Sequence, residues 1–265
     1  MLERAVRGWS LNHRLPADFD RIRLRTSPDS LGLKVLIHSS EVVAKDLFAA
    51  VRTLVRPGDT VYDIGANVGY FGVAAAVKAG HTGRVICFEP DQFNLGLIRT
   101  TARRLNPATH ARLDALPMAV ADGGARFAEF AIAERARASN SLASVGRTQA
   151  GGTRATLVVP TTTVDEVADA LAPPRVIKID VEGAETMVLA GATGVLDNHR
   201  PALVIEVGKE YAGDITQALL PRDYRLFNGD RPQPFESPVD SAVWNTWAIP
   251  AERLEELAPR ASHPA

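Results

Sequence analysis

One stretch constrains the fold more than any other: Val61-Tyr-Asp-Ile-Gly-Ala-Asn-Val-Gly69. A β-prone run begins at Thr60 and ends at Ile64, and two glycines, Gly65 and Gly69, follow it. Residues 70–79 are rich in Ala and Val and read as a helix. Strand, glycine turn and helix, in that order, are how an open parallel sheet makes a nucleotide pocket. Glycine serves there because the backbone turns tightly and lets a ligand approach where a Cβ would collide. The spacing is not the G-x-G-x-x-G of a dinucleotide site but Asp63-x-Gly65-x-x-x-Gly69. A carboxylate just ahead of the first glycine repels phosphate and suits a cationic or amino-bearing ligand.

The second anchor is the apolar run Arg84-Val-Ile-Cys-Phe88, which ends in Glu89-Pro90. Glu89 follows Gly65 at close to the ~20-residue offset at which an acid binds the ribose hydroxyls of an adenosine. An adenosine, a nearby acid and no phosphate cradle together point to S-adenosylmethionine (SAM) as cofactor. Three segments, Asp63-Ile-Gly-Ala-Asn67-Val-Gly69, Phe88-Glu-Pro90 and Lys178-Ile-Asp-Val-Glu-Gly-Ala-Glu185, resemble the FkbM family of class I methyltransferases. The third is the most specific, and the resemblance runs over about residues 57–250. It implies a Rossmann-like sheet of seven strands and O-methylation of a hydroxyl on a sugar, glycolipid or polyketide-type natural product. It also implies that Asp63, Gly65, Asn67, Gly69, Glu89 and Pro90 bind the cofactor, together with Asn94 in the first turn of the next helix. Met118-Ala-Val-Ala-Asp122-Gly123 matches a family element beside the adenine, so Asp122 would accept from the adenine amino group. A turn residue ahead of Gly123 is the other reading of Asp122.

Composition narrows the class. At 265 residues the chain is long for one domain without demanding two, and its 46% hydrophobic and 23% charged content fits a globular protein. A net charge of −1 gives no reason to expect nucleic acid or an anionic membrane as partner. The longest apolar runs fall far short of the ~20 residues of a membrane span. Residues 1–20 carry Arg4, Arg7 and Trp9 with no apolar core segment, so no signal peptide is expected. The arginines there form either a solvated arm or a contact to an acidic partner or lipid surface. Cys87, the single cysteine, excludes an internal disulfide and a zinc cluster and fits a reducing, cytoplasmic compartment. Oligomeric state is not readable from this sequence.

Taken in order, residues 1–56 read as a cap over the ligand edge of the sheet, by pattern and by the family resemblance. Within it, residues 2–11 can form a helix. Arg21-Ile-Arg-Leu-Arg25 reads as a strand with Leu33-Lys-Val-Leu-Ile-His38 as its hairpin partner, and residues 41–55 read as a helix. The catalytic domain spans 57–250, and 251–265 is a tail. Residues 92–105 read as helix, 111–116, 118–120, 125–132 and 155–160 as short strands, and Thr163 as a helix cap. Residues 136–154, with Ser139-Asn-Ser-Leu142, read as a substrate lid or a plain linker. Strands at 176–180, 201–207 and 224–227 alternate with helices at 183–196 and 209–220, and a last strand covers 243–250. The pattern is α/β: a doubly wound, mostly parallel sheet with an antiparallel edge strand.

Ligands gather at the carboxyl ends of strands in such sheets. Four strands here end in acids, Asp63, Glu89, Asp180 and Glu206, which leaves Asp180, Glu182 and Glu206 near the reacting centre. Lys178 lies in a strand that should be buried on both faces, so its charge needs a partner. Lys178, Asp180 and Glu182 share parity; they are either an ion-paired tie between sheet and helix or a group that orients substrate and cofactor. Asp180 is the first choice for a general base toward an acceptor hydroxyl and Glu182 the second. Clustered acids could instead hold Mg²⁺, but no metal site is expected. Of the six histidines only His38 is placed to reach a substrate, and Trp244 and Trp247 are packing or substrate-wall residues. The family commonly has a histidine shortly after the acid matching Glu206; here Gly208-Lys209 stands instead. Rival readings are an NAD-dependent oxidoreductase, opposed by the missing glycine fingerprint, and a non-catalytic binding protein, opposed by the intact motif. The acceptor would be a small molecule or glycan with a hydroxyl group, not nucleic acid.

Overall fold

The computed structural model describes residues 6–134, 137–144 and 152–257. The expected helix over residues 2–11 and the linker at 136–154 therefore lie partly outside the described residues. The chain opens on β1 (Leu11–Arg14) and β2 (Arg23–Thr26), which pair antiparallel. Four short helices follow, α1 (Pro28–Leu31), α2 (Lys34–Ile37), α3 (Ser40–Val43) and α4 (Lys45–Leu54). Residues 33–38 are thus not the hairpin partner of β2. Ser27 caps α1 through the Asp29 N–H, with Pro28 at its first position, so the chain leaves β2 as helix and β2 pairs upstream instead. The helix expected over 41–55 is broken at Ala44, whose non-helical φ of −128° and ψ of 32° separate α3 from α4.

The core alternates as expected. It runs β3 (Thr60–Ile64), α5 (Tyr70–Ala79), β4 (Arg84–Phe88), α6 (Gln92–Ala102) and β5 (Arg112–Leu116). Next come β6 (Ala119–Val120), β7 (Phe127–Ala133), β8 (Ser141–Leu142) and β9 (Thr153–Thr162), which form a second, four-stranded sheet in the order β6-β9-β7-β8. A capping box between Thr163 and Glu166 then starts α7 (Val164–Ala170). After it come β10 (Val176–Ile179), α8 (Glu185–Ala190), α9 (Thr193–Asn198), β11 (Ala202–Glu206) and α10 (Ala212–Leu219). The chain closes on β12 (Tyr224–Asn228), β13 (Pro238–Val239), β14 (Asn245–Pro250) and α11 (Leu254–Leu257).

The main sheet has the order β13-β12-β14-β11-β10-β3-β4-β5 among the described residues. Its five strands from β11 to β5 are mutually parallel, while β14 runs antiparallel to both β11 and β12. The antiparallel strand at 245–250 is therefore wedged inside the sheet, and the two-residue β13 is an eighth strand at its margin. Side-chain parity divides the two faces. Val61, Val85 and Cys87 share a core with α4, α5 and α6, whereas Tyr62, Ile64, Ile86 and Phe88 share one with α7 to α10. Leu15, Phe19 and Leu24 join the first of these cores, which roots the N-terminal segment in the sheet's own interior. No helix among the described residues is long and apolar enough to cross a membrane.

Candidate functional site

The site forms where β3, β4, β10 and β11 end. Gly65 leaves β3 at φ +72°, and a Cβ there would lie 1.8 Å from the Asp180 carbonyl oxygen, so only glycine lets the ends of β3 and β10 come this close. Lys178 bridges the same gap: its Nζ donates to the Gly65 carbonyl at 2.6 Å and lies 3.1 Å from Asp180 Oδ2 and 3.5 Å from Asp63 Oδ1. Burial pulls the Lys178 ammonium down, but Asp180 and Asp63 outweigh it and hold its pKa above the ordinary value. Asp63 stands directly opposite Lys178 in the β3–β10 register and is 0% exposed. Burial pushes its carboxyl up, against the Lys178 charge and a 2.9 Å bond from the Gly72 N–H.

Asp63, expected to bind the cofactor, lines neither of the two cavities described below. It is pinned between α5 and Lys178, where it serves as a charge partner of that lysine. Gly72 makes that packing possible, since a Cβ there would come within 2.4 Å of Cys87 Sγ.

Glu89 follows the end of β4 and is buried, with Oε2 accepting from the Asn67 N–H at 2.7 Å and Oε1 from the Asp91 N–H at 2.9 Å. Burial still pushes its pKa up to about 8. Gly65, Asn67, Glu89 and Pro90 wall a first cavity of about 570 Å³, its open mouth included. Met118 and Val120 beside β6, with Phe130 and Leu142 of the second sheet, give that cavity its apolar side.

Three other expected cofactor residues lie elsewhere. Gly69 starts α5 at φ +89° and packs toward Ile98, where it shapes the turn without facing the cavity. Asn94 is buried and accepts from Ser30 Oγ at 2.6 Å, which fastens α6 to α1. Asp122 is exposed and accepts from the Gly124 N–H at 2.9 Å, and it lines a separate cavity with Phe127 and Thr161. Local turn chemistry competes with any ligand role there.

A second cavity of about 1240 Å³, open solvent included, adjoins the first. Its walls come from Leu31, Lys34 and residues 42–47 on one side and from Glu206, Asp230, Trp244 and Asn245 on the other. Trp244 is 56% exposed, whereas Trp247 is buried in the core. Tyr70 also lines this cavity, and its hydroxyl meets His13, whose Nε2 donates to the Val35 carbonyl at 2.6 Å. His38 sits exposed at the end of α2 and does not line the cavity, and neither do Gly208 and Lys209.

Asn67, Ala138, Asp180 and Glu182 line both cavities. Asp180 keeps 31% of its side chain exposed while held by Lys178. Glu182 lies beyond the end of β10 in a left-handed turn at φ +53°, so its place in the site comes from that turn and not from strand parity. Burial and the neighbouring Asp180 charge push Glu182 up to about 7 and Glu206 up to about 8. No group of three or more His, Cys, Asp or Glu is arranged to hold a metal ion among the described residues.

Arg137, Ala138 and Asn140 of the first cavity's wall fall in the 136–154 stretch read as a lid or linker, without individual roles, and sequence reasoning missed Asp91, which holds two of them. Asp91 had a signal, as the cap residue just after Glu89-Pro90. Nothing local marked Arg137 within its stretch, because its partners are far away in the chain.

A family model described as the methyltransferase FkbM domain matches residues 63–226. Among solved structures, a methyltransferase FkbM from Methylobacillus flagellatus KT aligns at 18% identity and TM-score 0.45 over 80% of this chain and 54% of that one. A SAM-dependent O-methyltransferase from Thermotoga maritima aligns at 11% identity and TM-score 0.44, over 90% of this chain and 75% of that one. Aeropyrum pernix fibrillarin, solved with natively bound SAM, aligns at 11% and 0.43, over 77% and 76%. This chain spans about half the length of the Methylobacillus protein. No curated protein matches it. The family model covers more than half of the sequence, from the Asp63 motif to β12, and the chain, with its class I methyltransferase fold, belongs to the FkbM methyltransferase family.

Proposed function

We propose that this protein uses SAM to methylate a hydroxyl group of a sugar, glycolipid or polyketide-type natural product. One observation carries the reading: a cavity suited to a nucleoside and a larger, open cavity meet at Asp180, Glu182, Asn67 and Ala138. Group transfer between two ligands needs such a junction, because the reacting atoms must approach to roughly 3–3.5 Å.

The residues of the first cavity fit SAM. Phe88, Met118, Val120 and Leu142 offer apolar surface to an adenine, and the Glu89 carboxylate offers acceptor oxygens to a ribose diol. Asn67 Oδ1 is buried there without a partner. The acids Asp180 and Glu182 suit a cationic ligand better than a phosphate. When bound, SAM supplies an electrophilic methyl group.

The protein's part is then to align the acceptor, exclude water and take a proton. Lys178 lies 3.1 Å from Asp180 Oδ2 and fixes its direction, which aims a carboxylate at the junction to accept the hydroxyl proton. Glu182 is the second carboxylate in reach. A base of this kind contributes roughly 10²–10⁴-fold. The acceptor wall mixes Trp244 and Leu31 with Glu206, Asp230 and Asn245, which suits a ring bearing several hydroxyls. A cytoplasmic location agrees with the lone free, buried Cys87.

Calorimetric titration with S-adenosylhomocysteine, with NAD alongside, tests the cofactor. Micromolar binding of the first alone is expected; binding of NAD alone, or of neither, would remove SAM from the reading. Transfer of labelled methyl to a panel of hydroxylated sugars and polyketides then tests the acceptor, with an O-methyl product as the expected outcome.

A further inference from the structure

Arg137, Asp29 and Asp91 come from three separate parts of the chain and meet in one buried charge group. Arg137 Nε donates to Asp29 Oδ2 at 3.0 Å, and its Nη1 donates to Asp91 Oδ2. The guanidinium lies over the Phe93 ring, 4.7 Å from its centre. Arg154 gives Asp29 a second partner at 3.2 Å, and Asn140 Nδ2 gives Asp91 another at 2.8 Å. Both acids are almost fully buried, so each needs these partners to carry its charge.

The group touches each piece of the site. Asp91 accepts from the Phe93 N–H at the start of α6, and its own N–H holds Glu89 Oε1 at 2.9 Å. A shift of Asp91 is therefore a shift of the carboxylate assigned to the ribose. Asp29 lies in α1 beside Leu31, which walls the acceptor cavity. Arg137 and Asn140 wall the cofactor cavity, and Ala138 between them walls both. Other hydrogen bonds tie α6 to the N-terminal segment, but this ion group is where the 137–140 segment joins them.

We infer that Arg137 is a positioning residue: its two-way fork clasps the Glu89 loop to the N-terminal wall and so sets cofactor affinity from outside the reacting centre. A planar fork suits the task because two carboxylates approach from different elements, and lysine offers only a point charge. Loss of the fork leaves Asp91 and Asp29 each short of a charge partner and lets the Glu89 loop and α1 drift apart. The inference rests on the assignment of the first cavity to SAM.

The test is S-adenosylhomocysteine affinity and dissociation rate in the wild type, Arg137→Gln, Arg137→Lys, Asp29→Asn and a remote control, Arg200→Gln. The control removes the Arg200–Glu252 ion pair, 2.7 Å long and far from both cavities. Arg137→Gln is expected to bind about tenfold more weakly and release faster, with Arg137→Lys recovering part of the loss and Asp29→Asn falling between. Arg200→Gln is expected to lower the melting temperature with affinity unchanged, which separates positioning from general destabilisation. Wild-type affinity in Arg137→Gln and Asp29→Asn, or equal loss in Arg200→Gln, would overturn the clasp. Should Arg137→Gln not fold, Asp29→Asn and Arg137→Lys decide by the same criterion. A wild type that does not bind S-adenosylhomocysteine overturns the cofactor assignment instead.

Discussion

The first and second cavities share a junction but are held in different ways. In the first, position is stored in the backbone. Gly65 permits the approach of two strands, and both oxygens of Glu89 accept main-chain N–H bonds. In the second, side chains do the holding: Lys178 is fixed by a carbonyl and two carboxylates near Glu206, and another part of the wall comes from the N-terminal helices. Burial raises an acid in each cavity, Glu89 in the first and Glu206 in the second, with Glu182 at the junction, so the two differ in what holds the wall and not in the strain on their carboxyls. Perturbed acids gather where proton transfer is needed.

Four substitutions probe that contrast, beginning with the largest effect. Gly65→Ala should cost 4 kcal/mol or more, or prevent folding, because the added Cβ meets the Asp180 carbonyl. Chemical denaturation measures it, and a loss under 1 kcal/mol would mean the strand ends are free to part.

Lys178→Met comes next, at about 3–5 kcal/mol, because it leaves Asp63 as an uncompensated buried charge. Denaturation at neutral pH is the measurement, and a loss of well under 1 kcal/mol would show that Asp63 holds a proton when folded. Asp180→Asn should reduce turnover by roughly 10²–10⁴-fold with S-adenosylhomocysteine affinity nearly intact. Unchanged turnover would move the base to Glu182.

The smallest effect is on stability against pH. Glu206 titrates near 8 when folded against an ordinary 4.5, so the folded state holds the proton more tightly between those values. Its contribution to stability is therefore full below pH 4.5 and is lost as pH rises toward 8. Glu206→Gln should raise the melting temperature by about 2–4 °C at pH 8, the equivalent of ~1 kcal/mol, and leave it unchanged at pH 4.5. An equal gain at both pH values would point to packing as the cause.

The elements of the sheet were largely legible because their signals are local. The run 60–64 and the helix after Gly69 keep their read boundaries, as does the strand Arg84–Phe88. Thr163 also caps its helix as read. Residues 33–38 misled, since a short apolar run carries no period long enough to separate strand from helix. The antiparallel strand at 245–250 was legible as a strand, but its place between β11 and β12 was not.

At the site, the sequence by itself determined which chemistry gathers at one edge: acids at the ends of successive parallel strands, and a glycine where two backbones must meet. Strand order and parity are enough for that, because the period of two fixes the face of each residue and parallel strands end at one side of the sheet. Which acids line a cavity depends on tertiary packing. Asp63 faces α5 and Lys178, Asn94 faces Ser30, and Asp122 closes its own turn, while Glu89, Asp180, Glu182 and Glu206 remain in the cavities. Arg137 reaches Asp29 across 108 positions of chain, and no local period records a partner at that distance. Packing, not pattern, selects such pairs, because the energy of a buried charge depends on what the fold brings beside it.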